Sequence, residues 1–371
     1  MAVVALFGAG GVGSLIARGL AASPFVGELV LVARNTERLA AEAMDLRIAA
    51  ENAGNDRFRV RTLALDLADG ASVADALAKA RPEVVVHATT MRSWFTIAAA
   101  LPLAQWRAIY AATRFGPWLP INLAPALRLM KAVVAAGIPA ATVNVCFPDA
   151  VNPILARMDL PPTTGSGNSE IVASVLRISA AELLGTSLEP VAVRLIGHHF
   201  HLANLDHDIA WGERALHYRI LHDGRDVTHD LDPERFRATA RRNCPHKSSV
   251  PAAVATVRNI ERLLGRDAGA IVHCSAPEGR EGGWDVRFEG GRPVVVLPNG
   301  VTQDEADAVV RRAAEAEGIA EIMADGAVRF GAAEAEAMRR HLGYDCPVLR
   351  PDEIEDRGRE LLARFDALAA A

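Results

Sequence analysis

The chain has 371 residues, half of them hydrophobic and 23% charged, which is too long for one small core and predicts two domains, or two plus an appendage. Forty Lys and Arg against 45 Asp and Glu leave a formal charge of −5, so no basic excess is available to hold a nucleic acid or an anionic membrane. The four cysteines, at 146, 244, 274 and 346, are too scattered for a disulfide framework or a zinc knuckle, and the first apolar run, Ala2 to Phe7, is far short of a membrane span; the expectation is a protein of the reducing cytoplasm with no metal site.

In chain order, Val3 to Phe7 is a short apolar run that ends at glycines, and Ser14 to Ala22 follows with helical character, so the start reads as strand, tight turn, helix. A second strand, Leu29 to Val32, leads to a helix over Glu37 to Ala50 with Thr36 as its N-cap. Strands at Val60 to Ala64, Val84 to His87 and Ala141 to Cys146 alternate with helices at Ser72 to Ala80 and Ala124 to Ala136, a pattern that predicts a doubly wound parallel sheet. Thr90 to Pro120 lies between, with Trp94, Trp106, Trp118 and Arg92, Arg107, Arg114; it reads either as a long substrate loop or as a helical insertion with core tryptophans.

The character changes at Pro161-Pro162. A helix (Ser169 to Leu184), a strand (Val191 to Ile196), a polar stretch (His198 to Lys247) and a helix (Pro251 to Leu264) precede strands at Ala270 to Ala276, Trp284 to Phe288 and Pro293 to Leu297, whose short glycine turns predict an antiparallel meander. The predicted fold is therefore α/β, with an N-terminal Rossmann domain over 1–160, an α+β substrate domain over 161–330, and a C-terminal extension over 331–371 holding helices at Ala333 to His341 and Asp352 to Ala370 joined by a connector.

Gly8-Ala9-Gly10-Gly11-Val12-Gly13 matches G-x-G-x-x-G between a strand and a helix. Gly8 makes the turn, Gly10 admits a pyrophosphate close to the backbone, and Gly13 lets helix pack on strand, so Gly8, Gly10, Gly11, Val12 and Gly13 are the candidate dinucleotide loop. Twenty residues past Gly13, where a carboxylate would accept from the ribose 2′-OH of NAD, the chain has Ala33 and then Arg34. A guanidinium pairs with a 2′-phosphate, so NADP is expected ahead of NAD.

These segments, FGAGGVG, ELVLVAR and AEAMDL, resemble the lactate/malate dehydrogenase family, and shorter likenesses continue to Gly318: Pro148 after a strand, Gly165-Ser166-Gly167 before a helix, Ile196-Gly197-His198-His199, and Ser248-Ser249. The resemblance implies that His199 is the catalytic acid/base and that Asn122 lies near the nicotinamide, although a helix cap is its other reading. A histidine suits proton exchange with an alkoxide because it titrates near neutrality. In an extended segment His199 and His201 would share a face, with any of His198, His199 and His201 also readable as structural. The family's active-site helix carries an orienting Asp and a carboxylate-gripping Arg; here it reads Asn168-Ser169-Glu170-Ile171-Val172-Ala173-Ser174, so Glu170 is the candidate orienting acid and the arginine is missing. Phe147 stands where the family has Asn, and Arg114 is the candidate loop arginine closing on substrate.

The expected function is hydride transfer between NADP(H) and a carbonyl/alcohol substrate that is not simple lactate or malate. The alternatives are imine/amine chemistry of the opine-dehydrogenase kind, a dinucleotide- and metal-dependent glycosidase, for which no Cys stands in the Gly165 to Ser169 turn, and a non-catalytic NADP sensor. The resemblance and the long amphipathic helices imply a homo-oligomer, most simply a two-fold dimer.

Overall fold

A computed structural model describes residues 1–244 and 248–370, and in it the glycine-punctuated start folds as the apolar runs require. The first half contains β1 (Ala2–Phe7), α1 (Gly11–Ala21), β2 (Val26–Ala33), α2 (Thr36–Asn52), β3 (Arg59–Ala64), α3 (Gly70–Ala80) and β4 (Val84–His87). There follow α4 (Trp94–Ala99), α5 (Leu103–Thr113), α6 (Pro120–Ala136), β5 (Ala141–Asn144), α7 (Pro148–Arg157) and β6 (Thr164–Gly165). β6, β5, β4, β1, β2 and β3 pair in that order and all in parallel, the doubly wound arrangement, and the near-continuous apolar sequences of the central β1 and β4 reflect burial on both faces. Asn35, not Thr36, caps α2, its side chain accepting from the Arg38 N–H at 2.8 Å, because Asn35 is the last residue with extended backbone.

The second half contains α8 (Ser169–Leu184), β7 (Val191–Ile196), α9 (His199–Ala203), β8 (His217–His222), β9 (Arg225–Asp226), α10 (Pro233–Asn243), α11 (Val250–Leu263), β10 (Ile271–Ser275), β11 (Gly283–Glu289), β12 (Arg292–Val295) and α12 (Gln303–Ala316). The meander β10-β11-β12 adds to the parallel sheet through a β10–β6 pairing, so one nine-stranded sheet runs across residue 160. β7, where a strand is predicted, pairs with β8, and β8 with β9, in a separate antiparallel sheet whose last two strands lie in the stretch read as merely polar; Pro245 to Lys247, the last three residues of that stretch, lie outside the described ones.

The tail contains β13 (Ile319–Ile322), β14 (Val328–Phe330), α13 (Ala332–Leu342), β15 (Val348–Leu349) and α14 (Ile354–Ala370). The expected two-helix tail is thus half of a sheeted unit: β15, inside the supposed connector, pairs with β14. This unit shares one hydrophobic core with Ile97 to Leu155, including Trp106, Trp118 and Phe365, and ion pairs Arg92–Asp366 and Arg128–Glu355 tie the two. Thr90 to Pro120 is accordingly a helical insertion whose tryptophans are packed, not a free loop. No helix of the described residues is long and apolar enough to cross a membrane.

Candidate active site

The turn after β1 is set by close approach. A Cβ on Gly13 would fall 1.9 Å from the Gly8 carbonyl oxygen, and one on Gly8, whose φ is +116°, would fall 2.3 Å from that of Ala88 at the end of β4. Gly10 and Gly11, by contrast, face open space within 4 Å, and α1 starts there without a side-chain cap or an acidic residue in its first turn. The N–H groups of Gly11, Val12 and Gly13 have no carbonyl a turn earlier to bond, so a bare helix N-terminus faces an open cradle, which fits a pyrophosphate. Arg34 follows β2 and is largely exposed, its Nη1 3.9 Å from Asp66 beyond the neighbouring strand.

The other polar concentration begins where β7 ends. Gly197 bonds through its N–H and carbonyl to Gly283 at 3.0 and 2.8 Å, which fastens this corner to β11. From there the chain turns into α9 instead of staying extended, so His199 and His201 do not share a strand face. The turn is closed by the rings themselves: His198 Nδ1 faces the Phe200 N–H at 3.2 Å, and His201 Nδ1 accepts from the His198 N–H at 3.0 Å, a reciprocal cap. His201 Nε2 sits 2.9 Å from the Arg214 carbonyl. Burial depresses its pKa to about 4, so His201 is a neutral structural ring with both nitrogens bonded to backbone.

His199 is different. Its ring lies against Phe115 (centroids 4.8 Å apart, planes at 26°) and against Phe147 (5.1 Å), and its side chain is 20% exposed. Nδ1 is 2.5 Å from Glu317 Oε1, while Nε2 makes no hydrogen bond among the described residues. Glu317, next after α12, places its other oxygen 3.1 Å from His198 Nδ1, and its backbone carbonyl accepts from the Gly116 N–H at 2.7 Å, beside Phe115. Burial would raise this carboxyl's pKa, but the charges and hydrogen bonds of His199 and His198 outweigh it and hold it at about 2. Asp149, buried at the start of α7, bonds Asn168 through one oxygen and leaves the other without a partner among the described residues; burial raises its pKa against the pull of His198 and His199.

Glu170 does not orient His199. The turn from β6 into α8 faces β10 and α11, and the carboxylate there accepts from Asn259 (2.7 Å), Ser275 (3.1 Å), Ser169 and the Gly167 N–H (3.2 Å each). Asn122 is not a cap ahead of a helix, because α6 already starts at Pro120; it is buried in the first turn, its N–H bonded to the Leu119 carbonyl. Arg114 ends α5 at φ 55°, half-buried and in no ion pair among the described residues; it and Glu317 both act on the buried Tyr110 phenol, whose pKa is raised chiefly by burial. Phe147 also has a left-handed backbone, φ 48°, unusual for a bulky residue and the kind of strain that gathers at functional sites. Glu317, Asp149, Phe115 and Tyr110 escaped the sequence reading, and nothing local to them signals the meeting.

β1, β4 and β5 are parallel neighbours, so the turn at Gly8 and the residues after Asn144 open on the same edge of the sheet. At about 4.8 Å per strand the two are roughly 10 Å apart, and the C-terminal edge is where open α/β sheets bind ligands. His199, packed on Phe147, stands over the β5 end of that edge. Beneath it runs a buried polar chain: Thr89 to His87 (2.8 Å), His87 to Asn144 (2.9 Å), Asn144 to Asn152 (2.8 Å). Among the described residues no group of three or more His, Cys, Asp and Glu is placed to hold a metal ion.

Residues 4–101 match the model of the saccharopine dehydrogenase NADP-binding domain. No curated protein matches in sequence. Among solved structures, the malate dehydrogenase from Aeropyrum pernix is similar with a TM-score of 0.59 at 17% identity, over 83% of this chain and 94% of that one. The malate dehydrogenase from Salinibacter ruber gives 0.56 at 16% over 85% and 95%, and the lactate dehydrogenase from Cryptosporidium parvum, solved with lactic acid and nicotinamide adenine dinucleotide, gives 0.58 at 14% over 85% and 95%. Identities this low carry the fold alone. The family model adds the nicotinamide dinucleotide, and with it the chain is an enzyme of the dehydrogenase/reductase type with a Rossmann cofactor domain.

Proposed function

We propose that this chain is an NADP(H)-dependent oxidoreductase that interconverts a carbonyl and an alcohol, with His199 giving and taking the proton. One observation carries the reading: of the two rings that face Glu317, His199 is the accessible one, its side chain 20% exposed against 1% for His198, and its Nε2 makes no hydrogen bond among the described residues, at the sheet edge that holds the dinucleotide loop. Bound NADPH supplies the hydride, and NADP accepts it in reverse. Gly8, Gly10, Gly11, Val12 and Gly13 hold its pyrophosphate, Arg34 its 2′-phosphate, and Asn122 lies on the nicotinamide side. Glu317 fixes the ring through Nδ1 so that Nε2 faces the reacting oxygen. Phe115 stacks on the ring and Phe147 meets it edge-on, and the two, packed on each other, keep it from swinging out of line. Arg114, half-buried beside Phe115 and in no ion pair among the described residues, we assign to the substrate.

The substrate is not simple lactate or malate. A buried carboxylate needs a charge-assisted partner, and α8 offers Ile171, Val172 and Ala173, all buried and apolar, where that arginine would stand. Met44 and Ile48, exposed one turn apart on α2, support self-association as a dimer, and the reading places the protein in the cytoplasm. The test is turnover with NADPH on a panel of carbonyls that includes pyruvate and oxaloacetate. Those two should stay below a kcat/KM of about 10⁴ M⁻¹s⁻¹ while a larger or uncharged carbonyl exceeds it; efficient pyruvate reduction overturns the substrate reading.

A further inference from the structure

Glu317 has two oxygens and two imidazoles. Oε1 is 2.5 Å from His199 Nδ1; Oε2 is 3.1 Å from His198 Nδ1, at ion-pair distance but not aligned as a hydrogen bond, and has no hydrogen-bond partner among the described residues. His198 is fully enclosed, and its Nδ1 is contested, since the Phe200 N–H points at the same atom. A neutral ring with its lone pair at Nδ1 satisfies Phe200 but sets that lone pair against a buried carboxylate oxygen; a protonated ring pairs its charge with Oε2 and leaves one N–H of a short helix unpaired. Stranding a carboxylate oxygen costs more than stranding an amide, so the charged ring is favoured.

We propose that Glu317 is shared between the two imidazoles, and that His198, as a buried cation, is a positioning residue that limits how tightly His199 holds its proton. The groups that face the pair are Glu317 after α12, Asp149 of α7, Glu281 ahead of β11, His201 of their own helix with Arg312 of α12 behind it, and Tyr110 and Arg114 of α5. Three of these are carboxyls, and they favour a cation at His198, whose pKa lies above the ordinary histidine value despite burial. A cation there repels a second one at His199 and takes up half of the Glu317 field, so His199 is a better proton donor than a ring that had Glu317 to itself. The charge arrangement stands on the geometry; its use in catalysis rests on the redox reading above.

The test is NMR of the full-length protein with labelled histidines, titrated without substrate, with rings assigned through His198→Asn, His199→Asn and His201→Asn. Asn keeps an acceptor for the Phe200 N–H, so the cap survives while the charge is lost. In His198→Asn the His199 midpoint should rise by about one pH unit, and in Glu317→Gln the midpoints of both His198 and His199 should fall. An unmoved His199 midpoint in His198→Asn overturns the proposal. So does a fall confined to His199 in Glu317→Gln, which also decides the matter if His198→Asn does not fold. Because no turnover is needed, failure to find any carbonyl substrate defeats the redox reading and leaves this one standing. With a substrate in hand, the pH profile of kcat/KM for His198→Asn should shift upward with the ring.

Discussion

In the turn after β1 the cradle is made within six residues: Gly13 packs on Gly8, the backbone between them lines it, and one longer contact, Gly8 against the Ala88 carbonyl, seats it on the neighbouring strand. In the corner around His199 the contacts span the chain, with Glu317 118 residues away and Phe115 and Phe147 arriving from α5 and β5. Both sit on one edge of one sheet. The first is a backbone device that glycine alone can make, and the second is a side-chain device that exists only once β13 to α14 have docked on α4 to α7. The proposed cofactor end is thus built by local geometry and the proposed proton-handling end by tertiary closure, and each should fail in its own manner.

The sharpest separation is expected from His199→Asn. Acid–base catalysis supplies about 10²–10⁴-fold, so kcat should fall by that order while the NADPH dissociation constant, set at the far end of the edge, stays within about twofold. Steady-state kinetics with calorimetric titration of NADPH checks both. A matched loss of cofactor affinity would merge the two regions into one and break the comparison.

Acid should act on the buried histidines next. His87 and His201 have pKa values of about 4 in the fold, chiefly through burial, against about 6.5 in an unfolded chain. Below pH 6.5 the unfolded state takes up protons the native state refuses, so stability falls from there toward pH 4, by roughly 3 kcal/mol for each ring at about 1.4 kcal/mol per unit. His198, with its raised pKa, contributes fully below 6.5 and so adds no slope in this window, and Glu317 gives up its contribution only from its ordinary value down to about 2. Urea unfolding at pH 7, 5.5 and 4.5 should show the decline, and His201→Asn, less stable at pH 7, should decline less steeply. Equal slopes would mean that His201 is not held neutral.

What could be read from the residues follows the same division. The strand, glycine turn and helix at Ala2 to Ala21, and the β-α alternation behind them, declare themselves because apolar runs and glycines act on their neighbours. His199 was legible through the resemblance, but its partner was not: Glu170 sits one helical start away in sequence and faces α11 in space, whereas Glu317 looks like one acid among 45. The bend of His198 to Ala203 into α9 was hidden too, because its cap is made of imidazoles and no standard capping residue marks it. Tail residues 319–349 carry only two- to four-residue strands, too short to show a period against the helices around them.

Gly13→Ala probes the local device directly. The added carbon would meet the Gly8 carbonyl at 1.9 Å, backbone against backbone, so α1 must move away from β1 and the cradle with it. A loss of about 2 kcal/mol in unfolding free energy and at least tenfold weaker NADPH binding are expected, read by denaturant melts and calorimetry. Gly10→Ala, which adds a methyl to open space, should leave the melt nearly unchanged and weaken only the cofactor, since the methyl then occupies room the pyrophosphate needs. If both substitutions behave alike, the turn is merely a packing element.

The smallest effect belongs to Arg34, at the rim of the local device. Its guanidinium is exposed and holds Asp66 only at 3.9 Å, so it is free to turn toward a 2′-phosphate at little cost in lost contacts. An exposed charge-assisted bond contributes about 1–2 kcal/mol, so the wild type should prefer NADPH to NADH by roughly tenfold. Arg34→Asp removes that bond, repels the phosphate, and puts a carboxylate where a ribose 2′-OH can donate, so the preference should reverse by a similar factor with the melting temperature unmoved. The preference is electrostatic at an exposed site, so raising salt from 50 to 500 mM should shrink it in the wild type. A preference for NADPH that survives Arg34→Asp would move the discriminating contact elsewhere on α2. A preference indifferent to salt would mean that the 2′-phosphate is gripped by buried groups and not by Arg34.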